Sequence, residues 1–157
     1  MIRQQFIDLV ASNQKALRRF LVALCCGDTD MADDIAQETY LKAYLKFEEI
    51  RDVSKFNSWI YKIAFTTFLN FKRGNRIFLG LDEVKEAISK EEADAGYKYQ
   101  ELYLALNCLN ESERMAILLY YMEGYSVKEI AIIISQSETA VRKAMSRGRQ
   151  HLKNLVD

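Results

Sequence analysis

The chain contains no proline and only six glycines in 157 residues. Proline breaks a helix by removing a backbone donor, and glycine weakens one through its conformational freedom. With both scarce, helices can run long. Val and Thr are scattered singly, so few segments read as strands. Histidine is nearly absent: His151 stands alone, with no second ligand nearby in sequence. Cys25, Cys26 and Cys108 form no spaced framework, which argues against a zinc site and against disulfides, and points to a reducing compartment. No apolar run reaches the roughly 18 residues that a membrane span requires. The segment MIRQQFIDLVASNQK lacks the apolar core of a signal peptide. A cytoplasmic protein with no membrane insertion is expected. No phosphate loop, nucleophile elbow, partnered carboxylate pair or metal-ligand set is found, so neither an enzyme nor a cofactor is expected.

Net charge is also missing: 22 basic side chains balance 22 acidic ones. The balance hides a pattern. Asp28 to Glu38 holds five acids and no base, and Lys42 to Arg76 holds eight bases against three acids. Asp82 to Asp94 holds six acids against two bases, and Arg142 to Lys153 holds five bases and no acid. Two basic blocks separated by an acidic stretch suit a protein that touches nucleic acid at two places, although solvated surface charge produces similar runs.

Apolar residues at helical spacing predict an all-α fold. A first helix runs from Ile2 to about Cys26 and ends at Gly27-Asp28; a second covers about Met31 to Phe47. A third runs from near Ser54 to Arg73, with Gly74 as a breaker. Helical spacing weakens after that and returns from Tyr97 to Leu109. Asn110 with Glu113 opens a further helix that stops at Gly124, and Ser126 with Glu129 opens a short one of two turns. The last helix starts at Ser135 or Ser137, the former pairing with Glu138 as another capping box. The organisation expected is two small helical domains, residues 1–75 and 97–157, joined by an acidic linker at 76–96.

A short capped helix, a tight turn and a second helix make a helix-turn-helix. On the last helix Val141, Ala144, Met145, Gly148 and Leu152 share an inward stripe. That leaves Arg142, Lys143, Ser146, Arg147, Arg149 and Gln150 outward, with no acid among them. Such a face can lie in a DNA major groove, bases reading guanine edges or holding phosphates. In the N-terminal part, Asp34, Gln37, Glu38 and Leu41 fall at i, i+3, i+4 and i+7. A leucine rimmed by acids and an amide suits helix-on-helix docking, with an ordinary solvated face as the alternative. In KFNSWIYKIAFTTFLNFKR, Phe56, Trp59, Ile60, Ile63, Ala64, Phe68 and Phe71 form a core stripe. Asn57, Tyr61, Lys62, Thr66, Asn70 and Arg73 lie mostly off it.

The run LNESERMAILLYYMEGYSVKEIAIIISQSETAVRKAMSRGRQHLKNL resembles the C-terminal domain of bacterial sigma factors of the sigma-70 family, in the extracytoplasmic function group. The matching residues include Leu109, Glu113, Arg114, Gly124, Ser126, Glu129, Ile130, Ala131, Val141, Arg147, Arg149 and Leu152. DMADDIAQETYLKAY and the FNSWIYKIA helix resemble two further parts of the same family, in the same order. The resemblance implies a sigma factor that binds core RNA polymerase and directs promoter recognition and DNA melting. It implies that Asp34, Gln37, Glu38 and Leu41 dock on the β′ clamp helices, and that the C-terminal domain meets the β flap. It places Asn57, Trp59, Tyr61, Lys62, Thr66 and Asn70 on the −10 element, with the loop Glu48 to Lys55 around a flipped base. Thr139, Arg142, Lys143, Ser146, Arg147 and Arg149 fall on the −35 element, and an anti-sigma factor is implied as a partner. Ser135 stands where the family usually has a turn glycine. The alternative is a single-site helix-turn-helix regulator that needs no polymerase docking, but it has no use for the two N-terminal segments.

Overall fold

The computed structural model describes residues 2–78 and 100–156, with the side chains of 75–78 and 156 left aside. The acidic linker expected at 76–96 falls almost wholly outside these residues. Among those described there are seven α-helices and no strand: α1 Ile2–Leu24, α2 Thr29–Lys46, α3 Phe56–Phe78, α4 Gln100–Asn107, α5 Glu111–Tyr121, α6 Val127–Ile134 and α7 Glu138–Val156. Two single-turn 3-10 segments, Phe47–Glu49 and Val53–Lys55, carry the chain from α2 to α3.

The first three helices pack around one apolar centre. From α1 come Phe6, Leu17, Phe20, Leu21 and Leu24, from α2 Ala32, Ile35 and Ala43, and from α3 Phe56, Ile60, Ala64 and Phe68. The Phe6 ring meets Tyr44, Phe47 and Phe56 edge-on at centroid distances of 5.4, 5.2 and 6.0 Å, which closes the bottom of this bundle. A polar link crosses the core. Tyr40 Oη donates to Asn13 Oδ1 at 2.6 Å, and Asn13 Nδ2 donates to Asn57 Oδ1 at 3.0 Å, so a single buried amide ties three helices together. Burial pushes the Tyr40 phenol well above its ordinary pKa.

Chain reversals follow local chemistry. After α1, Gly27 N–H donates to Val22 O and Cys26 N–H to Ala23 O, a Schellman close with Cys26 in the left-handed region at φ 55° and Gly27 at φ 93°. Asn110–Glu113 and Ser126–Glu129 both form reciprocal capping boxes, as their spacing predicts. Two expectations are corrected. Gly74 does not end α3, which runs on to Phe78; a lone glycine only lowers helix stability and does not terminate one. Ser135 forms no box with Glu138. It is the C-cap of α6 at φ 57°, and Ser137 Oγ accepts from Ala140 N–H to start α7.

The C-terminal helices enclose their own apolar residues: Leu106, Leu109, Met115, Leu119, Ile130, Ile134, Val141 and Met145 are buried. Gly148 lets α7 approach α5, because an added Cβ would run into Ile117. The two halves also touch. Tyr61 of α3 sits edge-on to Phe20 at 4.8 Å and to Tyr125 at 5.8 Å, the latter in the turn before α6. The Tyr103 ring of α4 lies against Gly27 at the end of α1.

Candidate functional site

Helix α2 shows the stripe read from the sequence. Ile35, Thr39 and Ala43 are buried, while Asp34 and Gln37 are exposed, Glu38 is half-buried and Leu41 is 56% exposed. Past Leu41 the apolar exposure continues through Tyr44 and Leu45, the latter at 74%. Tyr44 rests edge-on against Phe6 while Leu41 and Leu45 stay exposed, and such an apolar strip on a charged helix suits a second helix laid across it. Glu38 lies 4.0 Å from Lys42 Nζ, which also donates to Thr67 Oγ1 at 3.2 Å.

On α3, Asn57, Lys62, Thr66 and Asn70 are exposed, and Trp59 is half-buried against Phe56. Trp59, Lys62 and Thr66 share a groove of about 360 Å³ with Lys42, Lys46, Glu49 and Ile63, so the bases of α2 and α3 gather beside one indole. In the preceding loop, Asp52 accepts from both the N–H and the hydroxyl of Ser54. These bonds hold its carboxyl below the ordinary carboxylate pKa and set the turn into α3. Tyr61 requires a correction. It is 2% exposed, wedged between Phe20 and Tyr125, and cannot touch DNA in this arrangement. Burial, with Glu123 as a lesser cause, drives its phenol far above the ordinary pKa. Phe65, one turn on, is buried too. The sequence reading treats α3 as having one core face, whereas it has two.

Helix α7 divides cleanly. Val141, Ala144, Met145 and Gly148 are buried; Thr139, Arg142, Lys143, Ser146, Arg147 and Arg149 are all exposed. Arg142 has an acidic neighbour, Glu138, at 3.9 Å, and Arg149 donates to Tyr121 Oη at 3.3 Å. Gln136, in the turn, donates to Ser112 Oγ at 2.9 Å and pins the turn to α5. The outward face is thus cationic, held on a rigid helix, and presented to solvent along its length.

Sequence reasoning names Arg114 as a family match but misses its structural role. It is 3% exposed and donates to three backbone carbonyls: Nε to Leu106 at 2.9 Å, Nη1 to Leu24 at 2.8 Å and Nη2 to Leu109 at 3.0 Å. The Leu24 bond crosses between the halves. The resemblance singles out Arg114 as a matching residue, but nothing in the sequence reveals that it is buried or which carbonyls it meets. Among the described residues no cluster of His, Cys, Asp and Glu could hold a metal ion. Burial raises the pKa of the Cys25 thiol far above its ordinary value, which favours the protonated form. No helix among the described residues is long and apolar enough to cross a membrane.

Residues 9–77 match the family profile Sigma-70 region 2, and residues 99–152 match Sigma-70, region 4. RNA polymerase sigma factor SigV of Bacillus subtilis (strain 168) is 33% identical over 119 residues, covering 75% of this chain and 71% of the relative. ECF RNA polymerase sigma factor SigM of the same organism is 27% identical over 144 residues, covering 88% of this chain and 87% of the relative. Among solved structures, the sigma factor RpoE in complex with the anti-sigma factor NepR from Bartonella quintana shares the fold, with a TM-score of 0.75 at 24% identity over 96% of both chains. With region 2 on α1 to α3 and region 4 on α4 to α7, the chain belongs to the sigma-70 family of RNA polymerase sigma factors, in the extracytoplasmic function group, whose members direct transcription initiation and are not enzymes.

Proposed function

We propose that each half of this sigma factor carries a distinct promoter contact and that α2 carries the polymerase contact. The domains are 1–75 and 97–157, joined by 76–96, and the protein works in the cytoplasm. Asp34, Gln37, Glu38 and Leu41 dock on the clamp helices of the polymerase β′ subunit, and the C-terminal half meets the β flap. Asn57, Trp59, Lys62, Thr66 and Asn70 face the −10 element, with indole and lysines supplying stacking and phosphate contacts to unpaired bases. Thr139, Arg142, Lys143, Ser146, Arg147 and Arg149 face the −35 element. An anti-sigma factor restrains the protein, as NepR partners RpoE in the solved complex.

The observation that carries this reading is the division of α7: every residue assigned to the −35 element is exposed, and the inward stripe behind them is closed. Run-off transcription with core polymerase on genomic fragments tests it. Wild type should start discrete transcripts. Gln37→Ala with Leu41→Ala should lose polymerase binding while keeping its helical content. Arg142→Ala should alter which −35 sequences are used, at about 1–3 kcal/mol per affected site, and Arg149→Ala should weaken all sites alike. Transcripts that do not depend on the added protein, or a double variant that co-purifies with core polymerase like wild type, would overturn the assignment.

A further inference from the structure

Arg149, on the flank of α7, meets an acceptor on another helix: its Nη1 donates to Tyr121 Oη at 3.3 Å, across 28 residues of sequence. Tyr121 is the last residue of α5, one turn beyond Ile117. Gly148, next to Arg149, has no side chain, so Ile117 settles against it, and the following turn of α5 brings Tyr121 alongside the guanidinium. The Tyr120 ring stands edge-on to Tyr121 at 4.9 Å and steadies it. At 62% exposure Tyr121 contributes little to the core. What it offers is an uncharged partner for a cation. Arg142, by contrast, has the Glu138 carboxylate 3.9 Å away, and a phosphate must compete with that charge. A phenol oxygen fixes the direction of the guanidinium and leaves its charge, and the other donors of its fork, for an anion. An exposed arginine without such a partner loses its rotamer freedom only when DNA immobilises it, and that loss lowers affinity. We propose that Tyr121 is a positioning residue for the −35 contact: it holds Arg149 in a phosphate-ready orientation before DNA arrives, without touching DNA itself. The proposal rests on the phosphate role of Arg149 in the promoter reading above.

The outward face of α7 is exposed in the free chain, and a phosphate contact is independent of sequence, so the full chain and mixed-sequence DNA suffice for the test. The probe is a fluorescein-labelled duplex of about 30 base pairs, with binding followed by anisotropy over a series of potassium chloride concentrations. Arg149→Ala removes one phosphate contact and should lower the salt slope of log affinity by about one unit. Tyr121→Phe keeps the ring and the charge of Arg149 and loses only the acceptor. It should weaken binding about threefold, the scale of freeing one long side chain, while the salt slope stays as in wild type. Both side chains are exposed, so far-UV dichroism of each variant should match wild type. The double variant separates positioning from packing: in the Arg149→Ala background, Tyr121→Phe should change affinity no further. A loss that persists in that background overturns the proposal, because Tyr121 then acts through packing or through its own contact with DNA. Wild-type affinity in the single Tyr121→Phe variant overturns it as well, since the guanidinium then needs no holding. If Arg149→Ala alone leaves affinity and slope unchanged, the phosphate role has failed and the positioning role falls with it, a result visible before Tyr121 is altered.

Discussion

Replacing Arg114 by methionine isolates the value of one buried cation. The guanidinium satisfies three carbonyls, and a charge-assisted hydrogen bond in such surroundings contributes about 1.5–3 kcal/mol. Methionine fills most of the volume but donates nothing. Leu106 O keeps a partner in Leu109 N–H at 3.1 Å, so its loss is small. Leu109 O and Leu24 O lose their principal donors, at about 1–3 kcal/mol each where water cannot replace them. Removing the charge recovers its desolvation, which offsets part of this. The net expectation is a loss of about 3 kcal/mol, a large share of the roughly 5–15 kcal/mol that stabilises a domain. With a urea slope near 2 kcal/mol per M, the midpoint should fall by about 1.5 M. Because the Leu24 bond joins the halves, the transition monitored by Trp59 should also separate from the one monitored by far-UV dichroism. A midpoint within about 0.3 M of wild type would refute the reasoning, since it would mean the carbonyls find other donors.

Thr39 is fully buried with an unpartnered hydroxyl, so Thr39→Val, which keeps the shape, should stabilise the fold by about 1 kcal/mol in urea denaturation without changing polymerase binding. Ser135 occupies the left-handed region at φ 57°, and Ser135→Gly should relieve about 1 kcal/mol of strain and raise the thermal midpoint by roughly 2–4 °C, read by calorimetry. Burial lifts Tyr61 above the ordinary phenol range and pushes Tyr125 up to about 12, so both stay neutral in the folded state while the unfolded chain ionises from about pH 10. Stability should hold below pH 10 and decline between pH 10 and 12, with tyrosinate absorbance near 295 nm lagging that of the urea-unfolded chain. Equal titration in both states would remove the buried pair from the account.

The helical skeleton is legible in the sequence because each cue is local. Asn110 with Glu113 and Ser126 with Glu129 become capping boxes, and the i, i+3, i+4, i+7 positions of α2 become an exposed stripe. The two faces of α7 are legible for the same reason: Val141, Ala144 and Met145 recur at helical spacing, and bases fill the gaps. What escapes depends on distant partners. Asn13 meets Tyr40 and Asn57 across 27 and 44 residues, and Arg114 meets Leu24 across 90. No window of local spacing contains these pairs. Gly74 fails as a stop signal because glycine ends a helix only where a left-handed turn follows, as at Cys26-Gly27.

Tyr61 shows how packing between halves overrides a pattern read within one helix. A tyrosine off the main apolar stripe, beside Lys62, suits a base-stacking role by composition. Yet Tyr61 and Phe65 lie one turn apart and form a second apolar strip on α3. Phe20 covers Tyr61 from within the N-terminal half, and Tyr125 covers it from the C-terminal half. A helix with two apolar faces in a small bundle is thus a sequence signature for a second body packed on it. The same strip explains why the seam is selective: aromatic edges and one guanidinium span it, and these contacts need close fit to contribute.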